Sequence, residues 1–286
     1  MSPEEREVAY SPSSCIGGDY APFVAAYRDR SARARENVDG WCEHRYGPAP
    51  AQRLDFFPAA DDGGPVPLLV FIHGGYWQEL SKGESSFPAT VWVGRGVAFA
   101  ALGYTLAPAA SLGEIVAECR RAVGWLHENA TDLGVDASRI VVAGSSAGAH
   151  LAAMVAVPGW HQAAGLPDDL VAATVLISGI FDLEPLVGTS IAEPLCLTDQ
   201  DVADLSPARL QLANSPPSIV CWGEVETDEF KSQSLDFAAR LDEVGTSCTS
   251  FEVVGRNHFD VVLELADTGA RIGREVASAL RLSEEV

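Results

Sequence analysis

The stretch RIVVAGSSAGAHLAAMVAV, residues 139–157, decides how the chain folds. Its first half, IVVAG, is β-branched and apolar on both faces, as a strand covered by helices on each side should be. Its second half, AHLAAMVAV, reads as a helix without a breaker. Between them lies Gly144-Ser145-Ser146-Ala147-Gly148, the pattern G-x-S-x-G in a strand–turn–helix setting. A turn this tight forces its central residue into a strained conformation, so the positions two residues to either side must be glycine. Ser146 is therefore expected to project its hydroxyl above the C-terminal edge of a sheet, as a nucleophile. The N–H of Ala147 enters the same space from a helix N-terminus. Ser145 is expected to point elsewhere and to serve packing or a hydrogen bond.

Outward from this segment, short apolar runs alternate with longer helical patterns. Residues 67–73, 97–102, 139–144, 171–178, 218–223 and 250–254 read as strands; residues 111–129, 147–157, 229–244 and 261–282 have helical spacing. Strands alternating with helices predict an α/β fold, with a mostly parallel central sheet and helices on both faces. The 286 residues fit one large domain. Residues 1–54 are expected to form an N-terminal helical extension, in which the Arg-rich stretch at 20–38 is a helix lying near the cleft. Residues 180–215, rich in Pro, Gly and acids, read as a cap-like insertion over the sheet.

A second motif closes the strand PLLVFI. His73-Gly74-Gly75-Tyr76-Trp77 lies 73 residues before Ser146. Glycines after a strand free backbone N–H groups to converge on a negative oxygen, and H-G-G in this place matches the element that completes an oxyanion hole. Gly74, Gly75 and Ala147 are the expected donors. His73 is then a structural residue of the loop. Tyr76 and Trp77 are candidates for a substrate pocket or for packing.

In this order of motifs the acid and the base follow the serine. His161 and His258 are the two histidines beyond the nucleophile helix, and His161 precedes every candidate acid. His258, in Gly255-Arg-Asn-His-Phe-Asp after a late strand, is the expected base. His150 shares the face of Ser146 but lies too deep, and His44, His127 and His161 read as surface or satisfied core residues. The acid should follow the strand SIVCWG, where Glu224, Glu226, Asp228 and Glu229 are available. Glu226 has the G-x-x-acid spacing of a loop carboxylate. Asp228 and Glu229 read as first-turn helix residues after an N-cap at Thr227, with Asp228 the alternative acid.

The segments HGGYW at 73–77, GSSAGAHL at 144–151, E-F-x-x-Q-S at 229–234 and N-H-F at 257–259 together resemble kynurenine formamidases, members of the α/β-hydrolase superfamily. The resemblance covers nearly the whole chain. It implies an α/β-hydrolase fold, Ser146, Glu226 and His258 as catalytic triad, and Gly74, Gly75 and Ala147 as oxyanion donors. It also implies hydrolysis of an N-formyl aryl amide such as N-formylkynurenine, with a short-chain carboxylesterase as the alternative and a non-catalytic binding protein as a third reading. Two positions depart from the family: Glu226 stands where these enzymes usually have Asp, and Ser145 where they often have His. An aryl leaving group needs an aromatic site, for which Tyr76, Trp77 and Phe181 are the candidates.

Charge bounds the partners. With 19 Lys+Arg against 40 Asp+Glu the net charge is −21, a surface that repels nucleic acid and anionic membrane. The six cysteines are scattered without a CxxC, and the histidines lack ligand spacing, so neither a metal nor an organic cofactor is expected. An acidic, polar N-terminus without an apolar h-region predicts a cytoplasmic protein acting on a small molecule, with a homodimer as the one macromolecular association left open. A kynurenine-like substrate carries a carboxylate. One of the seven arginines in residues 1–54, or a polar backbone site, is expected to receive it; if none reaches the cleft, a neutral ester becomes the better substrate.

Overall fold

A computed structural model describes residues 1–59 and 64–282. Each of the six apolar runs forms a strand: β3 (Val66–Ile72), β4 (Ala98–Leu102), β5 (Val135–Ser145), β6 (Ala173–Ile177), β7 (Ser218–Val225) and β8 (Cys248–Asn257). Two earlier strands, β1 (Cys42–Arg45) and β2 (Arg53–Phe57), complete an eight-stranded sheet of order β1-β2-β4-β3-β5-β6-β7-β8. Pairing is parallel from β4 through β8, and β2 runs antiparallel to both β1 and β4. This is the α/β-hydrolase arrangement.

Strand β3 is buried along its whole length. Its side chains alternate between two apolar cores, Leu68, Val70 and Ile72 on one face of the sheet and Leu69 and Phe71 on the other. Helices on both faces explain why the run shows no polar alternation.

Among the described residues the helices on the N-terminal side are α1 (Pro3–Ala9), α2 (Ala21–Asn37), α3 (Ala89–Val93), α4 (Leu112–Glu128) and α5 (Ala147–Ala156). Those that follow are α6 (Trp160–Ala163), α7 (Asp199–Leu205), α8 (Asp228–Glu243) and α9 (Arg271–Ala279). Helix α4 starts in a capping box, the Ser111 hydroxyl accepting from the Glu114 N–H while Glu114 accepts from the Ser111 N–H. No helix among the described residues is long and apolar enough to cross a membrane.

Three expectations need correction. The N-terminal extension is not wholly helical, because residues 42–57 supply β1 and β2. Their polar sequences, CEHR and RLDFF, hide the strand signal. Asp55 is buried in β2 and tolerable there only because Lys82 (2.5 Å) and Arg35 (3.4 Å) meet its carboxylate. The segment 261–282 is not one helix. A 3₁₀ turn at Val261–Ala266 stops where the Asp267 carboxylate accepts the Gly269 N–H at 2.9 Å, and α9 begins afresh at Arg271. The third correction concerns Thr227, which sits at the N-cap of α8 with its hydroxyl making no capping bond.

Residues 180–215 connect β6 to β7 through short 3₁₀ turns and α7. This segment is tied to α1, where the Ser190 N–H donates to the Glu7 carboxylate at 2.8 Å, and to the loop after β3, where Gln78 Nε2 donates to the Ile191 carbonyl at 2.7 Å.

Candidate active site

Ser146 adopts φ 57°, ψ −122° between the end of β5 and the start of α5. The flanking glycines are required by space. A methyl group on Gly144 would collide with the Gly148 backbone, and one on Gly148 with the carbonyl oxygens of Ile72 and His73. Helix α5 can therefore rest directly on the end of β3, which brings the glycine loop after β3 beside Ser146. Gly74 is held equally close, since a methyl there would stand 2.7 Å from the Ser145 oxygen and 3.2 Å from the Ser146 Cβ.

The loop after β3 runs through three consecutive left-handed residues, Gly75 (φ 93°), Tyr76 (φ 49°) and Trp77 (φ 61°). For two non-glycine residues this is a costly backbone, and tertiary bonds hold it. The Ala107 N–H donates to the Trp77 carbonyl at 2.9 Å, the Tyr76 hydroxyl donates to the Tyr10 carbonyl, and Trp77 Nε1 donates to His150 Nδ1 at 3.2 Å. The backbone N–H groups of Gly74, Gly75 and Ala147 have no acceptor among the described residues. Free N–H groups around a serine hydroxyl are what a developing oxyanion needs.

His258 follows β8 and is almost fully buried. Its Nδ1–H donates to Glu226 Oε2 at 2.8 Å, with the Glu226 side chain wholly out of solvent. The ring packs on Phe230 of α8 at 4.4 Å between centroids. Ser146 and His258 line one cleft, and no Ser146–His258 hydrogen bond is formed among the described residues. In an empty site such a bond is commonly long until substrate closes it. The alternative acids are elsewhere: Asp228 is exposed on the first turn of α8, and the exposed Glu224 accepts the Gly255 N–H at 2.7 Å.

The other histidines fall into place by burial. His73 is stacked on Tyr104 at 4.2 Å and donates from Nδ1 to the Gly74 carbonyl at 2.9 Å; desolvation pushes its pKa down to about 4. His150 accepts from Trp77 and donates from Nε2 to the Leu205 carbonyl at 2.7 Å, and desolvation again lowers its pKa to about 4. Both are neutral struts. His161 is buried with neither ring nitrogen partnered among the described residues, so the satisfied-core reading does not hold for it.

The cleft has a volume of about 550 Å³. One wall is the oxyanion loop, with Tyr76 on it. The opposite wall comes from the N-terminal segment, through Tyr10, Tyr20 and Tyr27, and Ser190 and Ile191 of the insertion complete the rim. Helix α2 is anchored there by the Tyr27 hydroxyl, which donates to the Phe259 carbonyl, and by Tyr20 stacked on Phe259 at 5.3 Å. Ser145, expected to face away, also reaches this cleft.

Trp77 and Phe181 do not line it. Trp77 is fully buried because its indole N–H is committed to His150. Phe181 is stacked on Phe237 of α8 at 4.1 Å and is likewise fully buried. Its backbone N–H is one of two that donate to Gln233 Oε1, while Gln233 Nε2 donates to the Tyr10 hydroxyl and the Asp182 carbonyl. Gln233 thus joins α8, the insertion and the N-terminal segment. The E-F-x-x-Q-S motif at 229–234 contains this glutamine, and the sequence alone does not disclose its role.

No arginine or lysine lines the cleft among the described residues; the charged side chains on its wall are Glu7, Glu79 and Glu84. Of the N-terminal arginines, Arg35 is engaged with Asp55, Ser86 and Gly83, Arg53 with Glu43, and the largely exposed Arg28 with Glu84 of the cleft wall at 3.6 Å. The arginine expected to reach the cleft is therefore not found on its wall among the described residues. No group of three or more His, Cys, Asp or Glu among the described residues is placed to hold a metal ion.

Comparison with known proteins adds the remaining findings. A family model described as BD-FAE matches residues 54–241. The kynurenine formamidase of Danio rerio is 33% identical over 277 residues, covering 93% of this chain and 92% of that protein. The kynurenine formamidase of Salmo salar is 32% identical over 278 residues, again covering 93% and 92%. Among solved structures, the hyperthermophilic esterase of the archaeon Pyrobaculum calidifontis superimposes with a TM-score of 0.74 at 22% identity, covering 99% of each chain, a likeness of fold.

Proposed function

This chain belongs to the BD-FAE and kynurenine formamidase families of α/β-hydrolases, and from that premise we propose that it cleaves N-formylkynurenine to kynurenine and formate, with Ser146, His258 and Glu226 as catalytic triad. The observation that carries the reading is the buried His258–Glu226 pair at 2.8 Å, opening on the same cleft as the strained Ser146.

In this mechanism Ser146 Oγ attacks the formyl carbon and passes its proton to His258 Nε2. Glu226 orients the imidazole and stabilises the imidazolium, itself staying ionised. The oxyanion rests on the N–H groups of Gly74, Gly75 and Ala147, in general the largest single contribution to such a reaction. An anilide nitrogen leaves poorly as an anion, so His258 Nε2–H returns the proton to it. Kynurenine departs and leaves a formyl ester on Ser146. Water, deprotonated by His258, then attacks that ester; formate leaves and the serine regains its proton.

At neutral pH the amino-acid end of N-formylkynurenine is a zwitterion. We assign its ammonium to the carboxylate side of the cleft, near Glu7 and Glu79, and its carboxylate to the hydroxyls of Ser11, Ser13 and Ser14 on the N-terminal wall. The aryl ring then lies among Tyr76, Tyr20 and Phe259. The enzyme works in the cytoplasm on a small molecule, without nucleic acid or membrane.

A cleft without a cation favours a second reading, hydrolysis of a neutral short-chain ester. Turnover of N-formylkynurenine is to be compared with that of p-nitrophenyl acetate. Faster kcat/KM on the formamide supports the first reading, and ester turnover with no formamide turnover overturns it.

A further inference from the structure

Ser178 follows β6 directly and is fully buried, with φ 51°. A left-handed conformation is strained for a non-glycine residue, and glycine would relieve it. The backbone there is fixed by its neighbour strand, since the Ser178 N–H donates to the Cys221 carbonyl of β7 at 2.7 Å. Among the described residues its hydroxyl has one partner, the Glu226 carboxylate, to whose Oε1 it donates at 2.6 Å. The Gly223 N–H donates to that same oxygen at 2.6 Å. The other oxygen, Oε2, is left for His258 Nδ1–H at 2.8 Å.

From this division of the carboxylate we infer that Ser178 is a positioning residue of the triad. It clamps one oxygen of Glu226, with Gly223, so that the other faces His258. A glutamate needs such a clamp. It has one more rotatable bond than aspartate, and a wholly buried carboxylate must find a donor for each oxygen. The side chain at 226 is long enough to reach the Ser178 and Gly223 donors and the imidazole together. Sequence gives no hint of the role, because Ser178 lies 48 residues from Glu226 and belongs to no motif.

The inference rests on the triad proposed above, and the test separates the two. Ser178→Gly removes the hydroxyl and also removes the backbone strain, so the variant should fold with an unchanged or raised Tm. Its kcat on N-formylkynurenine should fall about 10- to 100-fold, the loss for a hydrogen bond to a charged group, with KM within about two-fold. The rate at which a fluorophosphonate labels Ser146 should fall in parallel. In a Glu226→Ala background, Ser178→Gly should add nothing to the labelling defect. Wild-type kcat in Ser178→Gly, or defects that multiply in the double variant, overturns the role of Ser178. Wild-type labelling in Glu226→Ala instead overturns the triad assignment itself.

Discussion

The indole Nε1 of Trp77 donates to Nδ1 of His150 at 3.2 Å, and this bond ties the loop after β3 to helix α5 one turn beyond Ser146. The far side of the same imidazole donates to the Leu205 carbonyl at the end of α7, so one buried ring connects loop, helix and insertion. Trp77 is left-handed, and a loop held in that conformation needs such a bond. His150→Ala leaves the indole N–H unpaired and opens a cavity. It should cost roughly 2–4 kcal/mol in urea unfolding. It should also lower kcat more than it raises KM, because the misplaced groups include the proposed oxyanion donors Gly74 and Gly75. A pure stability loss with intact kcat would show that the loop keeps its shape without His150.

The same burial makes the fold sensitive to acid. His73 and His150 both have a pKa pushed down to about 4 by desolvation, against 6.5 in the unfolded chain. Above pH 6.5 both states are neutral and nothing is lost. Between pH 6.5 and about 4 the unfolded chain takes up protons that the native state refuses, so stability falls with falling pH. Each histidine contributes about 3 kcal/mol to that fall. Urea unfolding at pH 7 and pH 4.5 should reveal the loss, and His150→Gln should make the slope shallower. An equal slope in that variant would take His150 out of the explanation.

Much of this site is legible in sequence because its constraints are local. The need for glycine at 144 and 148 follows from the turn itself, and burial of 67–73 follows from an uninterrupted apolar run. What escaped depends on distant partners. Asp55 hides β2 because its neutralising Lys82 lies 27 residues away. Trp77 reads as a pocket residue until His150 is seen to accept its N–H. Phe181 reads likewise, until Phe237 is found against it. The charge of the cleft is hidden in the sequence for a similar reason. Counting arginines near the N-terminus says nothing about the carboxylates and carbonyls that engage them, as Asp55 and the Gly83 carbonyl do for Arg35.

Helix α2 should matter to substrate affinity. Its Tyr27 hydroxyl donates to the Phe259 carbonyl, one residue past His258, and burial pushes the phenol pKa well up, so it remains a donor across the working pH range. Tyr27→Phe deletes this bond and leaves the ring in place. Stability should fall by about 1 kcal/mol, and KM should rise several-fold as the wall carrying Tyr20 and Tyr27 loosens. An unchanged KM would mean that α2 is held by packing alone.

Glu226 and Asp228 are separated by chemistry that a short side chain cannot mimic. Glu226→Asp withdraws the carboxylate by one methylene from Ser178, Gly223 and His258 at once, so kcat should fall by ~10-fold or more. Asp228→Asn alters an exposed first-turn residue and should leave kcat within about two-fold, with a few tenths of a kcal/mol lost from the helix dipole. Steady-state kinetics on the two variants decides the acid; the reverse ranking would move that role to Asp228.

Two glycines separate conformation from space. Gly134 has φ 68° and open space where a Cβ would go, so Gly134→Ala should cost only the left-handed strain, about 1 kcal/mol. Gly148 has no such φ, yet a methyl there meets the backbone oxygens of Ile72 and His73, which no side-chain rotation can move. Gly148→Ala must push α5 away from β3, at about 3 kcal/mol or more. Because the same displacement parts Ala147 from Gly74, activity should be lost even in the fraction that folds. Urea unfolding and kcat per folded molecule, measured on both variants, test this. A Gly148→Ala protein as stable and active as Gly134→Ala would show that α5 can stand off from β3 without disturbing the site.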